Sequence, residues 1–184
     1  MDFYRLVLFV HVVSMTTMFA TLALEWVSLI RLRSVSSYEE ARTWAAIWGL
    51  LLPVGAPALF ATLGSGVYMA TVIGGLALPW VWMAPVSLVL VAIAGALMGP
   101  RRNRLRAAVG SGAGALPGQL REQFRHTALL ASLEFRSAVL LTLLFGMVVR
   151  PASMGIPFSV CGAGLIVAWA FASQSRKAAL QGPK

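Results

Sequence analysis

The chain has 184 residues, of which 59% are hydrophobic and 11% charged, and its mean hydropathy is +0.80. A soluble domain carries about 45–50% apolar and roughly 25% charged residues. The composition therefore excludes an ordinary soluble enzyme, a disordered chain and, with a single cysteine, a disulfide scaffold. The net charge of +9 does not point to nucleic acid, because no basic run is interleaved with aromatics. What remains is an all-α integral membrane protein in contact with lipid.

Five apolar runs reach the length of about 17–25 residues that a spanning helix needs. They cover residues 6–30, 45–73, 79–98, 127–149 and 156–172. The first is too long for a signal-peptide core of about 7–15 residues, and Asp2 weakens the basic flank, so it reads as a retained helix. Ser37-Tyr38-Glu39-Glu40 has the form of a capping box and starts the second helix near Tyr38. Pro117 is placed like a first-turn proline, so the fourth helix is predicted to start near Gly118 and run unbroken to Val149. Residues 99–117 read as a cytoplasmic linker, flexible over the glycine-rich stretch from Gly110 to Gly114. One membrane domain over residues 1–184 is expected, without internal repeats.

Orientation follows from the basic residues. Twelve Lys and Arg fall in the first and third gaps and the C-terminal tail, against Arg5 and Arg150 on the other side. This bias places the N-terminus outside and the C-terminus in the cytoplasm of a bacterial inner membrane. Small residues recur every four positions at Ala58, Thr62, Gly66, Ala70 and Gly74, a spacing that lets a second helix approach closely. Pro53 and Pro57 each remove a backbone donor and crowd the preceding turn, so a kink or partial unwinding is predicted there.

Ionisable groups within spans are functional candidates, because they are costly to bury. His11, Met15, Met18, Leu22 and Glu25 share one stripe of the first helix. Imidazole and thioether are ligands for haem iron and copper, so His11, with Met15 and Met18, is a candidate cofactor site. The alternative is that His11 hydrogen-bonds a neighbouring helix and the methionines fill gaps. His126, the second histidine, lies roughly 20 Å from the level of His11 at 1.5 Å per residue, so the two do not clamp one haem. Glu25 is expected to pair with Arg136 across the first and fourth spans. Glu134 is left as a neutral carboxyl or a partner for another donor, and Glu122 and His126 are one turn apart. Zinc-protease, Cys-x-x-Cys and phosphate-loop motifs are absent.

The opening Arg5-Leu6-Val7-Leu8-Phe9-Val10-His11-Val12-Val13 resembles the first helix of small bacterial membrane families of the CopD and HemJ type and related predicted integral membrane proteins. Gly64-Ser65-Gly66-Val67-Tyr68 and Gly146-Met147-Val148-Val149-Arg150-Pro151 extend the resemblance. It implies that His11 is a haem or metal ligand. The HemJ type is expected to use an intramembrane lysine, and this chain has none before Lys177, so protoporphyrinogen oxidation is not carried over. Three readings of function stand together: a protein holding haem b or copper at His11 in a redox or cofactor-handling role, a non-catalytic subunit of a larger membrane complex without a cofactor, and a small-solute transporter using the Pro53–Pro57 break.

Overall fold

The computed structural model describes residues 2–150, and within them the chain is entirely helical. Helix α1 spans Phe3–Leu32, α2 Tyr38–Val72, α3 Pro79–Gly110, α4 Gly118–Arg125 and α5 Thr127–Val149, with a short 3-10 turn at Gly75–Ala77. Among the described residues, four helical units are long and apolar enough to cross a membrane, α4 and α5 forming the fourth together. The predicted fifth span, 156–172, and Cys161 lie outside the described residues. At 30 residues α1 is about 45 Å long, more than the roughly 30 Å of a bilayer core, so its ends reach past the apolar layer. The outward faces carry exposed Leu52, Phe60, Leu97 and Val148, which suits lipid rather than water.

The core lies along α1. Its buried stripe runs from His11 through Ser14, Met15, Met18, Leu22, Glu25 and Ser28 to Leu32. Against it α2 makes the most extensive helix pair among the described residues. Ala58, Thr62 and Ala70 are buried, and Gly66 lies beside His11 with only about 3.3 Å between an added Cβ and the imidazole Cε1. A side chain at 66 would press on that ring, which gives the four-residue spacing of small residues its local reason.

Three sequence expectations are corrected. The second helix is neither unwound nor interrupted: α2 is helical through Pro53 and Pro57. Each proline removes one ladder bond, but its ring already holds the helical φ, and in an apolar setting the other bonds have no water to compete with them. The linker is shorter than 99–117, since α3 continues to Gly110 and buries Leu105 and Val109. The arginine-rich stretch after Gly99 is made of good helix formers and continues as helix to Gly110. The fourth helix is broken at His126, whose ψ of 129° is extended. Its Nδ1 accepts from the Ala128 backbone N–H at 3.2 Å and caps α5, and Glu122 is not its partner.

The connection at 111–117 is also tied down. Tyr38 N–H donates to Gly114 O at 3.0 Å and Leu116 N–H to Ser36 O at 2.8 Å, while Arg42 Nη2 donates to Gly112 O at 2.8 Å. Gly114 takes φ +81°, which glycine tolerates without strain. Ser37 caps α2 by accepting from Glu40 N–H at 3.3 Å, as its spacing predicts. Beneath this strap α4 buries Leu120 and Phe124, and the Phe124 ring lies 6.2 Å from that of Trp48. Phe124 is fully buried, so Phe124→Ala is expected to destabilise the detergent-solubilised protein by about 3–5 kcal/mol. A thermal midpoint equal to wild type would show that α4 does not support the bundle.

Candidate functional site

Among the described residues, two polar systems interrupt the apolar interior. The first lies where α1 meets α2. Ser65 Oγ donates to Ala61 O at 2.5 Å, so its oxygen accepts the proton of His11 Nδ1, 3.0 Å away. With Nδ1 as the donor to Ser65, the lone pair lies on Nε2. Thr62 Oγ1 donates to Ser14 Oγ at 2.9 Å, and Ser14 Oγ donates to His11 O at 3.0 Å. His11, Met15 and Met18 are all buried on the same stripe. Met18 also lines a cavity, and among the described residues no group of three or more His, Cys, Asp or Glu is placed to hold a metal.

The second system is ionic and joins three helices. Arg136 Nη2 on α5 donates to Glu25 Oε1 on α1 at 2.6 Å. Arg102 Nη1 on α3 donates to the same oxygen at 2.6 Å. Arg102 Nη2 also donates to Gly95 O at 2.9 Å, and Arg136 Nε to Ser132 O at 3.3 Å. All three side chains are largely buried, at 9% exposure for Glu25 and Arg136 and 14% for Arg102. Gly95 lies beside this crossing, where an added Cβ would make ordinary van der Waals contact with Arg136 Nη1 at 3.9 Å. Neighbouring hydrogen bonds hold the same helices, from Trp26 Nε1 to Ser137 Oγ at 2.9 Å and from Ser132 Oγ to Ala94 O at 3.1 Å.

Arg102 is the residue that sequence reasoning missed as a partner. It stands after the third apolar run and reads as one of the orientation charges. Helical continuation to Gly110 was the missing premise, because it carries Arg102 back beside the bundle instead of into a loop. Glu134 is half-buried and takes no part in the triad.

The triad forms the polar wall of a cavity of about 450 Å³ bordered by α1, α2, α3 and α5. Much of the rest is apolar, with Leu22, Leu51 and Leu59 facing Val91 and Leu140. Gly55, Ala56, Ala92, Gly95, Ala96 and Gly99 supply the room. On the rim, Leu52 and Phe60 of α2 and Ala92, Ala96 and Pro100 of α3 are exposed, so the cavity opens sideways between these two helices. Trp48 reaches the cavity from α2, and its buried Nε1–H has no hydrogen-bond partner among the described residues.

Glu25 neutralises part of two buried cations, so its loss harms more than the loss of either arginine. Glu25→Gln is expected to destabilise the protein by about 3–5 kcal/mol. Arg136→Gln leaves the Glu25–Arg102 pair intact and should be milder, and adding it to Glu25→Gln should restore part of the stability. Thermal unfolding of the three variants in one detergent checks this; additive losses would mean that the three groups are not coupled. No family model matches the chain, and neither a curated protein nor a solved structure matches it.

Proposed function

We propose that the chain is a multi-pass protein of the bacterial inner membrane that takes a small lipophilic ligand from the bilayer into its lateral cavity and holds or passes it on. The single observation that carries this reading is the 450 Å³ cavity with its three convergent charged side chains. Ligand sites typically occupy about 300–1,000 Å³ and combine apolar walls with a few placed polar groups, often between the helices of a bundle. The opening lies on the lipid-facing side, so a ligand dissolved in the membrane has access without crossing water.

A photoactivatable fatty alcohol in vesicles tests the reading. Adducts are expected on residues 51–60 of α2 and 91–99 of α3. Gly99 lines the cavity and has open space around an added Cβ, so Gly99→Leu should fill the cavity and cut these adducts severalfold. Labelling spread evenly over all lipid-facing surfaces, and indifferent to Gly99→Leu, would sink the proposal.

The proposed orientation puts the N-terminus outside and the 111–117 strap in the cytoplasm, on the strength of the basic residues near the strap. With Cys161→Ser as background, a cysteine at Ser111 should resist a membrane-impermeant maleimide in intact cells and react after lysis. Reaction in intact cells would reverse the topology.

One observation also favours the cofactor reading at His11. Its Nδ1–H is held by Ser65, which leaves Nε2 as the available ligand atom, the arrangement in which a metal-binding histidine is usually oriented. Protein purified from its native membrane should then show a haem Soret band, or stoichiometric copper, that is lost in His11→Ala. A colourless, metal-free and folded sample would assign the Ser65 bond to helix packing alone.

A further inference from the structure

The geometry points to a single-chain anionic amphiphile as the occupant of the lateral cavity, its carboxylate or phosphate head on Arg102 and Arg136 and its chain along the apolar wall. The inference rests on the cavity reading above and deepens it. Three observations carry it.

The first is charge. Two guanidiniums meet one carboxylate, and both bond the same oxygen, Glu25 Oε1. Arginine stays protonated under all relevant conditions, so the triad holds one positive charge in excess. In a largely buried place such a charge calls for a counter-ion with hydrogen-bond acceptors. A carboxylate or phosphate oxygen meets both needs, and guanidinium geometry suits either head.

The second is an unused donor. Trp48 lines the cavity, and its buried Nε1–H has no hydrogen-bond partner among the described residues. An indole N–H offers only donation, so the complementary ligand atom is an acceptor. The third is the distribution of polarity along the cavity. Arg102 and Asn103 stand at the α3 end that faces the cytoplasmic strap, while Leu59, Phe60 and Val91 stand toward the bilayer interior. Arg106, one turn beyond Arg102, lines an adjoining cavity of about 410 Å³ that shares Trp48, Leu52 and Asn103. A ligand with a charged head near the headgroup layer and an apolar chain pointing inward matches this gradient.

The experiment compares three photoactivatable probes of equal chain length in vesicles at alkaline pH: a fatty alcohol, a fatty acid and a lysophosphatidic acid. At least one of the anionic probes is expected to label the cavity about tenfold or more over the alcohol, the scale of one charge-assisted hydrogen bond. Arg102→Gln and Arg136→Gln each leave Glu25 with one arginine and a neutral pair, so these variants should fold. They should lose the preference for the anion and keep the labelling by the alcohol. Trp48→Phe keeps the ring and should lower the preference in the same direction.

Equal labelling by acid, phosphate and alcohol overturns the anionic head while leaving the cavity reading in place. No cavity labelling by any probe overturns both. Displacement of the anionic probe by inorganic phosphate or acetate alone would make the occupant a free anion and overturn the amphiphile. Retained anion preference in both arginine variants would likewise reject the triad as the binding group.

Discussion

A carboxylate cannot be left alone in a low-dielectric bundle, and neither can a guanidinium. Burying either as an isolated ion costs several kcal/mol even after relaxation. Glu25 meets this constraint by drawing one arginine from α3 and another from α5 to a single oxygen. Those two bonds set the depth of α3 and of α5 against α1, since sliding either helix by one turn would move it about 5.4 Å. The lateral cavity is the space left between helices held at those depths, and Gly95 and Gly99 keep it from being filled.

Helix α1 supplies both polar systems from one stripe. Toward its N-terminus, His11 and Ser14 engage Ser65 and Thr62 of α2. Toward its C-terminus, Glu25 engages α3 and α5, while Ser28 Oγ donates to Trp44 O on α2 at 2.8 Å. The first helix thus specifies which face α2, α3 and α5 present. Apolar contact alone would not do this, because lipid tails are as apolar as leucine and leave rotation of a helix nearly free.

Much of this was legible in the residues, and the exceptions have physical causes. The stripe from His11 to Glu25 follows from helical spacing, and Glu25 with Arg136 follows from the need to pair buried charge. Ser37 announces the start of α2 by its type and by the glutamate three residues on. Arg102 was hidden because hydropathy marks where the membrane ends, whereas a helix ends where its hydrogen bonding ends. The strap at 111–117 was hidden for a related reason: glycine-rich composition signals freedom, but the bonds from Tyr38 and Leu116 are made by backbone groups that leave no trace in side-chain type. His126 illustrates a third limit, since a single residue with extended ψ divides an otherwise helical pattern. The cavity itself depends on how far apart four helices stand, and spacing within any one helix does not encode that distance.

The separation of Glu25 and Arg136 along the chain, 111 residues, has a consequence for biogenesis. Chains are made and inserted from the N-terminus, so α1 and α2 enter the membrane while both arginines are still unmade or outside it. The His11–Ser65 and Ser14–Thr62 bonds lie wholly within this first hairpin and are available at once. Glu25 must wait for α3 to bring Arg102, and the network closes only when α5 delivers Arg136. The order of synthesis therefore leaves Glu25 without its arginine partners in the early hairpin until the later described helices arrive.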